Sequence, residues 1–335
     1  IPSTMPSAKR RLGLRMGLVA ATLGFSAALD GSPTLSLPEL KRFNYSGALA
    51  TGSLAAGGTL GILIPPSVVL IIYAVMVEAN VATLFQAAFI PGILAALGYI
   101  AVIAIVVRVN PEAGPAGERA TRAQKWAALL EIWPVLIIFV LVMGGIYFGI
   151  FTPTEGAGVG AFGTFLIAIT RGGMRVNGFI EALLGTAQTT AMIFLILLGA
   201  AIFNAFLGFS QLPITAADFF GNSGLSPYTI LFGMIALFIV LGFVMDSLSM
   251  IFLTIPIFWP IIAALDFGMS PDEAKLWFGI IALIVVEMGL ITPPVGLNVF
   301  IINSMAKDVP MIETFKGVIP FFASDIIRVG VLIAF

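Results

Sequence analysis

Leu60-Gly61-Ile62-Leu63-Ile64-Pro65-Pro66-Ser67 and Met288-Gly289-Leu290-Ile291-Thr292-Pro293-Pro294-Val295 carry the decisive pattern. Each has a glycine, a short apolar run and two adjacent prolines. Pro-Pro removes two successive backbone donors and pushes the residue before it out of the helix. Each pair interrupts an apolar stretch long enough to cross a bilayer, Tyr45–Val77 and Leu276–Ile302. Carbonyls that lose their helical donors in hydrocarbon are costly. Such a break persists only where protein, water or an ion supplies the missing partner.

The two stretches resemble each other beyond the prolines. Phe85-Gln86-Ala87-Ala88-Phe89-Ile90-Pro91 parallels Phe315-Lys316-Gly317-Val318-Ile319-Pro320. Each break also follows an apolar hairpin candidate, Leu12–Leu29 ending in Asp30-Gly31-Ser32-Pro33, and Ser247–Leu265 interrupted by Pro256 and Pro260. Basic residues set orientation. Arg108, Arg119, Arg122 and Lys125 assign the Asn110–Lys125 loop to the cytoplasm. Lys41 and Arg42 make the first broken segment run outward, and Asp272, Glu273 and Lys307 make the second run inward. Two similar halves of opposite orientation form an inverted repeat, and matched breaks point to a substrate and ion site at the membrane midplane. The expected fold is an all-α polytopic membrane protein with two re-entrant hairpins and two discontinuous helices. Residues 1–107 form the first repeat, 108–226 the connecting loop with scaffold and arm helices, and 227–335 the second repeat.

Composition agrees. Of 335 residues, 59% are hydrophobic and 10% charged, with a net charge of -1. Soluble chains carry about a quarter charged residues. Neither cysteine nor histidine occurs. Disulfides, thiol catalysis, histidine metal sites and Ser-His-Asp chemistry are thereby excluded, and the chain reads as a non-enzyme. Nothing suggests a nucleic-acid partner. Further apolar stretches are Leu84–Val107, Ala128–Ile150, Ala157–Thr170, Leu183–Phe209, Tyr228–Met245 and Met311–Phe335, with Phe209–Pro227 read as a loop. Crossings between Arg171 and Asp272 do not give a clean parity, so one segment there must be a hairpin, an interfacial helix or a double crossing. Lys9–Ala28 imitates a secretory signal, but a membrane segment with a basic flank accounts for the same residues.

A cation such as Na+ requires hard oxygen ligands from carbonyls, hydroxyls and carboxylates. Thr59, Gly61, Ile64, Pro65 and Ser67 surround the first break, and Gly289, Thr292, Pro293 and Asn298 the second. At the restarting helices, freed N–H groups suit an anionic substrate. Ser67 and Asn298 lie there as substrate-binding candidates, with side-chain capping as the competing role. Intramembrane acids are functional candidates. Asp246, beside Ser247, either aids cation binding or caps a helix. Glu155 reads as a cap, and Glu287 as the coupling candidate. Arg328 in the last span either pairs with Asp325 or snorkels. Trp126, Trp133, Trp259 and Trp277 fit interface anchors or packing, and Gly144–Gly163 suggests close helix contact.

Thr51-Gly52-Ser53 through Gly57-Gly58-Thr59 to Ser67, then Leu84-Phe85 and Ile90-Pro91-Gly92, resembles the large membrane subunit of TRAP (tripartite ATP-independent periplasmic) transporters. Phe151-Thr152-Pro153-Thr154-Glu155 is similar to that family's mid-chain connector, and Leu290–Asn298 resembles its second break. The resemblance covers Leu37 to Phe335. It implies a Na+-coupled importer of organic acids in a bacterial inner membrane, a small membrane subunit, and a periplasmic binding protein that delivers substrate. It also implies an elevator mechanism, in which a domain carrying both hairpins slides against a scaffold. The implied sodium sites lie where hairpin ends meet Gly61–Pro66 and Gly289–Pro294. The stretch Asp30–Thr34 is shorter than the family's Gly/Ser/Ala-rich segment, and Ile1–Ser7 has no counterpart. This leads us to expect a chain truncated or altered at its start, or a first cation site built differently. Two alternatives remain: a stand-alone Na+/carboxylate symporter of two-hairpin architecture, and a non-transport membrane protein.

Overall fold

A computed structural model describes residues 33–115 and 121–334. The hairpin candidate Leu12–Leu29 and the stretch Ile1–Ser7 lie outside them. All regular structure among the described residues is helical. The helices are α1 (Pro33–Arg42), α2 (Gly47–Leu63), α3 (Val68–Met76), α4 (Val81–Val109), α5 (Arg122–Tyr147), α6 (Pro153–Thr170) and α7 (Val176–Ser210), then α8 (Leu212–Gly221), α9 (Pro227–Gly242), α10 (Ser247–Ala263), α11 (Pro271–Ile291), α12 (Leu297–Met305) and α13 (Met311–Ala334). Among the described residues, α4, α7, α11 and α13 are each long and apolar enough to cross a membrane, and α2 with α3, bent by 45° at their break, reach that length and apolarity only together. The chain divides into two compact units, Ile1–Gly117 with Leu207–Phe335, and Glu118–Phe206.

Local chemistry sets the helix ends. Ser46, Ser67, Asn80, Ser226 and Asp246 each accept a backbone N–H of the first turn that follows. Thr152 with Glu155, and Ser270 with Glu273, form capping boxes. Glu155 is therefore a cap, as its sequence context suggests.

In the first unit, the two broken helices run in opposite directions. The start of α2 meets the chain after α12: a Cβ on Gly47 would touch Val309 at 2.9 Å, and Lys41 pairs with Asp308. The chain after α3 meets the start of α11: Tyr73 donates to the Lys275 carbonyl at 2.7 Å, and the Lys275 ammonium to the Glu78 carbonyl at 3.4 Å. α13 lies against α2 with backbones nearly touching, since a Cβ on Gly52 would fall 2.4 Å from the Gly317 backbone. Small residues allow this approach where lipid gives helices no hydrophobic drive to associate.

Two expectations are corrected here. Ser247–Leu265 is not itself a hairpin, because α10 is continuous from Ser247 to Ala263 with Pro256 and Pro260 inside it. The hairpin is α9 folded back on α10. Tyr228, at the start of α9, meets Phe267 beyond the end of α10 at 5.5 Å, and Phe238 meets Phe258 at 4.9 Å. The arms have 16 and 17 residues. At about 1.5 Å per residue neither arm reaches the roughly 30 Å of a hydrocarbon core. The expected loop Phe209–Pro227 contains α8, because the breaker residues flank Ile214–Phe220 without entering it.

In the second unit, α5 and α6 pack antiparallel. Gly156, Gly160 and Gly163 face Ile146, Val142 and Ile138 in turn, and Arg171 lies 4.9 Å from the centre of the Trp133 ring. The glycine-rich run thus serves close helix contact.

Candidate cation and substrate site

The first break begins where α2 ends. Ile64 leaves helical geometry at φ -82 and ψ 120, and its N–H reaches the Leu60 carbonyl at 2.9 Å. Pro65 and Pro66 have no N–H to offer the carbonyls of Gly61 and Ile62, four residues earlier. The helix resumes after Ser67, which is buried and accepts the Leu70 N–H at 3.3 Å. This hydroxyl is engaged as a cap. Gly61 and Pro66 are exposed, whereas Pro65 is buried. α4 leans on the break through Gly92, where a Cβ would meet Ile64 at 3.1 Å.

The second break is built alike up to its restart. Thr292 turns extended at φ -87 and ψ 134, and its N–H bonds to the Gly289 carbonyl at 3.2 Å. Its hydroxyl donates to the Met288 carbonyl, which keeps the oxygen lone pairs outside that bond. Pro293 and Pro294 deprive the carbonyls of Gly289 and Leu290 of helical donors. Both Pro-Pro peptides are cis. α12 starts differently from α3. Gly296 sits at φ 59, a left-handed conformation open to glycine, and provides no side-chain cap. The first N–H groups of α12 therefore point out of the helix without an internal acceptor, with Asn298 half-buried beside them.

The α9–α10 tip meets the second break directly. A Cβ on Gly242 would lie 2.6 Å from Gly289 Cα, so only glycine at both positions permits the contact. Asp246 follows at the tip. It is exposed and caps α10, accepting the N–H groups of Leu248 at 3.0 Å and Ser249 at 3.2 Å through Oδ2. Ser247 is half-buried next to it. Gly289 thus touches the end of α9, with Thr292 and Pro293 three and four residues beyond it, while Asp246 and Ser247 follow in the turn into α10.

Two candidates stand apart from these residues. Glu287 is two residues before Gly289, about 200° around the helix, and lies within electrostatic range of Asp325 and Arg328 on α13 without a hydrogen bond to either. Thr59 faces α4, with its hydroxyl donating to the Ala56 carbonyl at 2.7 Å and lying 3.3 Å from the Tyr99 hydroxyl. Sequence reading missed Tyr99, because nothing in Leu84–Val107 distinguishes a buried tyrosine from an interfacial one. It also missed α9 as a hairpin arm, although the short apolar run of α9 was a visible signal.

The family model described as "Tripartite ATP-independent periplasmic transporter, DctM component" matches residues 20–335.

The chain belongs to the DctM family of TRAP transporter large permeases.

It is similar to the C4-dicarboxylate TRAP transporter large permease protein DctM of Pseudomonas aeruginosa, with 34% identity over 93% of this chain and 73% of that one. It is also similar to the sialic acid TRAP transporter large permease protein SiaM of Vibrio cholerae, with 28% identity over 97% of this chain and 74% of that one. Among solved structures, the YdaH transporter of Alcanivorax borkumensis aligns with a TM-score of 0.51 and 16% identity, over 96% of this chain and 85% of that one. That likeness concerns the fold alone. As a DctM-family member, the chain is a membrane permease and not an enzyme, and it is a multi-pass protein of the bacterial inner membrane.

Proposed function

We propose that this permease imports an organic acid by Na+-coupled elevator transport, taking substrate from a periplasmic binding protein and working with a small membrane subunit. The observation that carries the reading is the glycine-to-glycine seat of the α9–α10 tip on the second break. A tip seated on a broken helix can close over bound solute and travel with it. The Leu290 carbonyl freed by Pro294, the lone pair that Gly289 keeps beside its bond to Thr292, the Thr292 hydroxyl and the Asp246 carboxylate offer a donor set suited to a hard monovalent cation. The uncapped start of α12, with Asn298, suits a carboxylate. The first break offers the carbonyls of Gly61 and Ile62 as a second cation half-site, where Thr59, Ile64 and Pro65 shape the turn and Ser67 holds the restart.

The opposed running of α2–α3 and α11–α12 supports reading residues 1–107 and 227–335 as inverted repeats around a middle segment, 108–226. The relatives' substrates, C4-dicarboxylates and sialic acid, favour a carboxylate cargo. The test is uptake of a labelled C4-dicarboxylate, and separately of sialic acid, into proteoliposomes containing this chain and its small subunit, with binding protein outside. Uptake should require both an inward Na+ gradient and the binding protein. Equal uptake without binding protein would make the chain a stand-alone symporter, and uptake indifferent to Na+ would remove the coupling ion.

A further inference from the structure

A buried polar centre lies behind the two breaks. It comprises Thr59 on α2, Tyr99 on α4, Glu287 on α11, and Asp325 and Arg328 on α13. Their exposures are 1%, 3%, 1%, 2% and 7%, so Arg328 does not snorkel to an interface. Tyr99 donates to Asp325 Oδ2 at 2.8 Å, and Arg328 Nη2 makes an ion-pair contact with Asp325 Oδ1 at 2.9 Å. Glu287 has no hydrogen-bond partner on either oxygen, nor does Arg328 on Nε or Nη1, although each lies in the other's field. Ionisable groups so deep in an apolar helix assembly are costly, and packing alone gives no reason to keep them.

Their positions follow the repeat. Thr59 stands six residues before Pro65, and Glu287 six before Pro293. Tyr99 stands eight residues after Pro91, and Arg328 eight after Pro320. In each half, a residue of the proline-bearing span thus approaches the last two turns of a broken helix. In the first half the approach is the hydroxyl contact of Tyr99 with Thr59. In the second the charge of Arg328 acts on the buried Glu287 through space, with no hydrogen bond between them. Asp325 joins the two arms, since it touches both Tyr99 and Arg328.

We propose that the Asp325–Arg328 pair is a positioning joint that sets the turns ending at Gly61 and Gly289 together, acting through Tyr99 and Thr59 on one side and Glu287 on the other. The joint touches neither cargo nor coupling ion. It holds the helix ends whose carbonyls form the two half-sites, and so rests on the cation reading above. Broken helices lack hydrogen bonds across their gaps, so side chains must fix the angle at which each half ends.

The test measures Na+ half-saturation, substrate KM at saturating Na+, and melting temperature in the full transporter. The variants are Tyr99→Phe, which preserves volume, and the double neutralisation Asp325→Asn/Arg328→Met, which removes both charges of the pair together. In each, Na+ half-saturation should rise about fivefold, the scale of one lost hydrogen bond. Substrate KM at saturating Na+ should stay within about twofold. Arg328→Lys keeps the charge and should lie between wild type and the double variant. A lower melting temperature with unchanged Na+ half-saturation would make the centre structural only and overturn the proposal. Failure of Tyr99→Phe and the double variant to fold would also overturn it, since a joint leaves the fold standing. Wild-type uptake that ignores Na+ overturns the cation reading and this proposal together, whereas a Na+-dependent wild type with unmoved variants overturns this proposal alone.

Discussion

Thr292 closes α11 with its backbone N–H on the Gly289 carbonyl, while its hydroxyl bonds back to Met288. Ser67 stands at the other end of its gap, opening α3 as a cap. The two positions should therefore answer differently to mutation. Thr292→Val keeps shape and removes one hard oxygen. Na+ half-saturation should rise about tenfold, near 1.4 kcal/mol, and unchanged Na+ dependence in uptake would exclude this side chain from the cation site. Ser67→Ala removes a cap worth about 1 kcal/mol. It should lower the melting temperature while moving Na+ half-saturation less than twofold. At this scale the residues around both breaks were legible, because an imino nitrogen has no hydrogen to donate wherever it stands. Which role Ser67 plays was not legible, because cap and ligand use the same oxygen and only the Leu70 N–H decides between them.

The α9–α10 hairpin rests on a contact that tolerates no side chain. Gly242→Ala or Gly289→Ala would drive a Cβ to 2.6 or 2.7 Å from the opposing Cα. Either should reduce uptake at least tenfold, whereas Gly233→Ala on the same arm meets nothing within 4 Å and should leave uptake unchanged. Gly233→Ala should also stabilise α9 by up to about 1 kcal/mol. Normal uptake by Gly289→Ala would show that the tip need not seat on the break. The contact between α1 and the α12–α13 loop titrates. The hydrogen bond from Lys41 holds the Asp308 carboxyl below its ordinary value. Stability from a depressed acid is present above the unfolded value and is lost as pH falls through the folded one. Asp308→Asn should thus melt slightly below wild type at neutral pH, and the gap should close as pH falls through the lowered value of the folded carboxyl. A gap that persists in acid would assign the effect to something other than this pair. The hairpin escaped sequence reading because α10 carries two prolines and looks broken. The actual turn, Phe243–Asp246, bears no such punctuation.

The whole molecule has no cysteine, so one introduced thiol reports its own sidedness. Val295→Cys, exposed beside the second break, should react with an impermeant maleimide from either face of the membrane. The favoured face should change with Na+ and substrate, as sliding of the half-sites demands. Labelling from one face under all conditions would exclude the elevator. Much at this scale was determined by sequence alone. An apolar chain with so few charges must live in lipid, and two matched Pro-Pro pairs must break two spans. Serine, threonine, asparagine and aspartate start helices wherever they precede one, since a cap needs only neighbours along the chain. Which surfaces meet was decided by the tertiary structure. Gly242 faces Gly289, Gly52 faces Gly317, and Tyr99 reaches Asp325 across 226 positions of chain. A missing donor is a property of one residue, but the partner that compensates it is chosen by packing between segments distant in sequence.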